Sequence, residues 1–128
     1  MDKKKEIGQL PAEQSKLLCL MAYLGDTPGD YALKQLYGRN FSNAKRNLDI
    51  LDHTPFTRGG KVAPDVFFQV VGYALDHFDI PAWAEKAQQF RTDTALWLWN
   101  VGTALHGQDT AMLRRLTRPA SLRADLGE

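Results

Sequence analysis

The sequence predicts a mainly α-helical fold carrying one small β-hairpin. Three observations lead there. Apolar residues recur at i, i+3, i+4 and i+7 through most of the 128 residues, the spacing of one helix face. Ser, Thr, Asp, Pro and Gly punctuate those runs where helices are capped and stopped. Only around Gly59-Gly60 does the pattern change, to short runs with β-branched and aromatic residues. That arrangement suits a type I′ turn, whose two central residues both take positive φ.

Taken in order, residues 1–9 are polar and lysine-rich and are expected to be flexible. Leu10-Pro11 opens the first helix, with Pro11 in the first turn, where its missing N–H costs nothing. Leu17, Leu20, Met21 and Leu24 form its core stripe and Gly25 ends it. Leu18, Ala22 and Tyr23 widen that stripe, which predicts cover on more than one side. Thr27 is placed to cap a second helix, Pro28–Tyr37, with Asp30 as a short capping-box acid and Gly38 as the stop. Ser42 is placed to cap a third, 42–51, whose buried face is Ala44, Leu48 and Leu51. His53-Thr54-Pro55 halts it, and the hairpin spans 56–63.

Pro64 opens a further helix with a dense stripe of Phe67, Val70, Val71, Ala74, Leu75 and Phe78. Asp79-Ile80-Pro81 breaks it and starts another, bearing Trp83, Ala87 and Phe90. Thr92-Asp93-Thr94 caps the next helix, whose centre, Leu96-Trp97-Leu98-Trp99, is apolar on every side and is expected to be buried from several directions. Gly107 ends it. Asp109 caps a short helix with Met112, Leu113 and Leu116, closed by Pro119. The chain divides into a flexible lead (1–9), a three-helix unit with its hairpin (10–63), a helical extension (64–118) and a tail with little pattern (119–128).

The composition, 44% hydrophobic and 24% charged, is that of a soluble globular chain able to build a core without disulfides or metal. No apolar run approaches the roughly 20 residues that cross a bilayer. Lys3-Lys4-Lys5 is followed by no apolar stretch with a small-residue cleavage site, so no signal peptide is read. The single cysteine, Cys19, lies in an apolar run and reads as a small buried hydrophobe in a reducing cytoplasm. Net charge is +1, but its distribution is uneven. Residues 31–61 hold six basic groups against Asp49 and Asp52, whereas residues 62–113 hold two basic groups against six acidic ones. A positive excess on one segment points to an anionic partner.

Leu33, Leu36 and Gly38, then Ser42, then Leu48 and Leu51, then Gly59-Gly60 stand in an order that resembles a bacterial winged helix-turn-helix domain over residues 10–63. The resemblance implies a three-helix unit with a small hairpin wing (56–63), packed against or followed by a helical bundle. It implies that 42–51 is a recognition helix entering the major groove of duplex DNA. Asn43, Lys45 and Arg46 are then candidates for base or phosphate contacts, Lys34 and Arg39 for phosphates, and Arg58 and Lys61 for the backbone or minor groove. Two features depart from the pattern. The turn after Gly38 reads a residue or two longer than the usual connection of about 3–4 residues, and Asp49 and Asp52 would repel phosphate.

No catalytic, metal or cofactor site is read. His53, His77 and His106 have no second ligand at metal spacing, no nucleophile–base pattern surrounds Cys19 or a serine, and Gly59-Gly60 opens no phosphate loop. Trp97 and Trp99 read as core, not as a base-stacking platform. The expected function is a non-enzymatic winged-helix module binding nucleic acid or acting in regulation. The alternative is a protein-interaction module, the amino-terminal docking domain of a larger protein, using the helical half around Met112, Leu113 and Leu116.

Overall fold

The structure is a computed structural model and describes residues 3–119. The rest of the expected tail, 120–128, lies outside the described residues. The elements are α1 (Lys3–Gly8), α2 (Ala12–Leu24), α3 (Asp30–Tyr37), α4 (Phe41–Leu51), β1 (Thr57–Arg58), β2 (Lys61–Val62), α5 (Phe67–His77), α6 (Ile80–Trp83), α7 (Asp93–His106) and α8 (Thr110–Arg115). Short 3-10 helices at Gly38–Asn40, Pro64–Val66 and Glu85–Phe90 join them. The fold is thus mainly α with one two-stranded antiparallel sheet.

α2 is the axis of the fold. Every residue from Leu17 to Leu24 is buried, so the helix has no solvent face over two turns. α5 and α4 cover two sides of it, α7 a third, and β2, α6 and α1 close the remainder. The broad stripe read from the sequence accounts for this. The lead contributes as well: where residues 1–9 read as flexible, Lys3–Gly8 is helical and Ile7 is fully buried, on a helix that packs chiefly on α5. One apolar side chain in a lysine-rich stretch is a weak signal in sequence, but it suffices when a groove receives it.

Several ends match their expected chemistry. Gly25 caps α2 in the left-handed region at φ 87°, its N–H donating to Met21 O at 2.8 Å. Thr92 caps α7, Oγ1 accepting from Ala95 N at 3.0 Å, and Asp109 caps α8 by accepting from Met112 N at 2.9 Å. Two expected caps are absent. α3 begins at Asp30, behind Gly29, because the Thr27 hydroxyl donates to the Gly60 carbonyl across the hairpin. α4 begins at Phe41, one residue ahead of Ser42, because the 3-10 turn Gly38–Asn40 runs straight into it. That turn is three residues long, so the expected lengthening after Gly38 does not occur. The hairpin pairs Thr57 with Val62 and Arg58 with Lys61. Gly59 and Gly60 stand at φ 62° and 80°, as a type I′ turn needs.

α7 departs from expectation. Trp99 is buried against Tyr23, edge to face at 5.1 Å. However, Leu96 is 45% and Leu105 49% exposed, so the helix is not covered from several directions. α5, α2 and the short α8 pack on it and leave apolar flanks open.

Two glycines fix how closely α7 approaches. A Cβ on Gly25 would lie 2.4 Å from Thr92 Oγ1 and 2.5 Å from Ala95 Cβ, and one on Gly102 would lie 2.8 Å from Val71 Cγ1. Gly25→Ala combines left-handed strain with this overlap and is expected to cost about 2–4 kcal/mol. Gly102→Ala adds overlap alone, about 1–3 kcal/mol. Urea unfolding should rank the two variants in that order, and a neutral Gly25→Ala would show that α7 can shift without penalty.

Candidate interaction surfaces

The seven candidate residues, Lys34, Arg39, Asn43, Lys45, Arg46, Arg58 and Lys61, are all exposed. On α4, burial of Ala44 and Leu51 turns the outer side to Ser42, Asn43, Arg46, Asp49 and Ile50. Ile50 is itself 46% exposed, an apolar residue where a DNA-reading helix would carry polar ones. Lys34 and Lys45 both lie over the Phe41 ring, at 5.0 and 5.5 Å. Lys45 also pairs with Asp30 at 3.3 Å, so its charge is already answered. Arg39 stands in the 3-10 turn, and Arg58 and Lys61 flank the hairpin tip.

Between α4 and the hairpin turn lies an open trough of about 550 Å³. Met21 and Leu48 contribute apolar surface to it, Gly59 and Gly60 form the hairpin side, and Lys45, Asp49 and Asp52 come from α4. Helical spacing of i, i+4 and i+7 puts those three charges in one row. Asp26 approaches the same turn, its Oδ1 3.9 Å from where a Gly60 Cβ would stand. Asp49 and Asp52 therefore share the trough with Lys45 beside the hairpin turn.

The helical half carries a second concavity, where the hairpin meets the N-terminal ends of α5 and α7. It is lined mainly by apolar side chains, among them Val62, Phe67, Phe68 and Leu98. Sequence reading missed this groove, because Phe68 stood beside a core stripe and Leu98 within an apolar run, with nothing to show that either would be left uncovered. It also missed an exposed aromatic pair, Tyr31 and Phe90, edge to face at 5.9 Å. Met112 and Leu116 are half-buried and Leu113 is exposed on α8, which offers only a small apolar edge.

The discounted groups are placed as follows. Among the described residues no cluster of three His, Cys, Asp or Glu could hold a metal ion, and no helix is long and apolar enough to cross a membrane. His106 Nε2 meets Asp76 Oδ1 at 2.8 Å, a surface tie between α7 and α5. Trp99 is core, and the Trp97 indole N–H is buried without a described partner. Burial pushes the Cys19 thiol up from 9.0 to about 12, and the thiol donates to the Val70 carbonyl at 3.9 Å.

That shift has a sign. An unfolded Cys19 ionises at alkaline pH while the folded one stays protonated, so the contribution is fully present below 9.0 and is lost as pH rises toward about 12. Wild type should lose stability more steeply than Cys19→Ala across that window. Ellman's reagent should react only as the chain unfolds; fast native-state labelling would contradict the burial. Comparison with known proteins finds no matching family model, no matching curated protein and no matching solved structure.

Proposed function

We propose that residues 10–63 form a winged-helix-like unit, with α4 in the place of a recognition helix and the hairpin as its wing. The chain works as a non-enzymatic protein-interaction module in the cytoplasm, where the reduced, buried Cys19 is at home. The observation that carries this reading is the trough between α4 and the wing. A duplex docked through both elements would lay its backbone along that trough, against Asp49 and Asp52. Like charges near contact cost on the order of 1–4 kcal/mol each at the dielectric of a protein surface. Exposed apolar residues stand on the helical half at Phe68, Leu96 and Leu105 as well as at Tyr31 and Ile50, and exposed apolar surface marks protein contacts more than phosphate contacts.

A second reading, duplex DNA as partner, is favoured by Arg58 and Lys61, which face each other across the wing and form no ion pair with a described residue.

Binding to mixed-sequence duplex at about 50 mM salt separates the two readings. Wild type is expected to show none, and Asp49→Lys with Asp52→Lys is expected to create it by turning the trough positive. Wild-type binding that weakens steeply with salt, and that disappears in Lys45→Ala with Arg46→Ala, would overturn the protein-interaction reading.

A further inference from the structure

The apolar groove has a definite form. Its volume is about 500 Å³, within the range of ligand sites, about 300–1,000 Å³. Buried Met21 lies at its floor, Val62, Phe67 and Phe68 make one side, Ala95 and Leu98 the other, and exposed Lys61 stands at the rim. The groove exists because α5 and α7 touch at Gly102, where a Cβ would meet Val71 and Phe68, while the hairpin closes the space at the N-terminal ends of both helices.

Its apolar surface continues beyond the cavity. Helical spacing sets Thr94, Leu98, Val101 and Leu105 along one flank of α7, a run of about 16 Å at 1.5 Å per residue. Phe68 is 41% exposed beside the middle of that run, where it approaches Gly102, and Leu105 lies open at its far end. A short acyl chain would fill the cavity and leave that run bare, whereas a helix of about three turns would cover it.

Charge sets the direction. Arg58 and Lys61 are register partners in the hairpin, so their side chains leave the same face of the ladder. Like charges directly opposite repel, and neither is answered by a carboxylate among the described residues. An anion at Lys61, the one of the two that lines the groove, relieves the repulsion.

Resting on the reading of the chain as a protein-interaction module, we propose that this groove docks an amphipathic helix of a partner protein. Apolar side chains at helical spacing seat along Phe68, Leu98 and Leu105, and carboxylates at one end lie against Lys61 and Arg58.

The test titrates the full chain, isotope-labelled for NMR, with a designed helical peptide of roughly three turns. The peptide carries leucines at i, i+3, i+4 and i+7 and two glutamates at one end, and its twin carries two lysines there. The acidic peptide is expected to shift the resonances of Phe68, Leu98 and Leu105 and to bind more tightly than its twin. Lys61→Glu should weaken the acidic peptide about fivefold and invert the preference. Phe68→Ser should weaken both peptides about tenfold or more. Both side chains are exposed, and unchanged melting curves establish that the variants fold. No perturbation at millimolar peptide, equal binding of the twins, or indifference to Lys61→Glu overturns the proposal. Shifts produced by decanoate alone would assign the groove to a small amphiphile, and self-association abolished by Phe68→Ser would assign it to a second copy of the chain; either result also overturns it. Duplex DNA binding by wild type would instead remove the underlying reading, while a chain that binds neither DNA nor the acidic peptide loses only this occupant.

Discussion

A helix with no solvent face must be enclosed, and α2 is such a helix from Leu17 to Leu24. One stripe of a surface helix asks for one neighbour, but eight consecutive buried residues ask for neighbours all round. Each fully buried leucine contributes about 1.5–3 kcal/mol relative to exposure, so the arrangement that covers Leu17, Leu18, Leu20 and Leu24 together outweighs any that covers a single side. This demand makes α4 and the hairpin share a continuous core with α5 and α7. The helices before the hairpin are thereby tied to those after it through one central element.

The C-terminal end of α2 converts that enclosure into surface shape. Gly25 turns the chain, the Leu24 carbonyl accepts from Thr92 N at 3.0 Å, and Thr92 then caps α7. Arg91 adds to the joint, its Nε donating to Tyr23 O at 2.8 Å with the guanidinium stacked on the Tyr23 ring. A few residues beyond Gly25, the Thr27 hydroxyl holds the hairpin turn at Gly60. The end of one helix thus fixes both the start of α7 and the position of the hairpin. The trough and the groove lie on either side of this joint, and Met21 lines both.

What was legible in the sequence was local. A cap or a glycine stop depends on a few neighbouring residues, so Gly25, Thr92, Gly107 and Asp109 could be read directly. The type I′ hairpin could be read for the same reason. Where a residue had a choice of partner, reading failed. Thr27 carries an ordinary capping hydroxyl, but Gly60, distant in sequence, supplies a competing acceptor that no window reveals. Burial showed the same limit: the apolar residues of α2 and α7 look alike, yet α2 is enclosed and α7 is open at Leu96 and Leu105. The candidate cations were recognised as exposed groups, but that Lys45 shares a trough with Asp49 and Asp52 depends on which flank of α4 meets the hairpin, and that is set by tertiary packing.

The openness of α7 also bears on the charges of the hairpin. A chain selected for stability alone would cover Phe68 and Leu105 or replace them with polar residues, since each exposed large side chain forgoes about 1.5–3 kcal/mol of burial. Retaining them beside two mutually repelling cations at Arg58 and Lys61 leaves two unfavourable features at one place. On the proposed docking, a single contact that is apolar along its length and anionic at one end relieves both, and Asp49 and Asp52 in the trough beside the hairpin turn disfavour a polyanion there. The hairpin turn thus borders both concavities, with Lys61 on the groove and Gly59 and Gly60 on the trough.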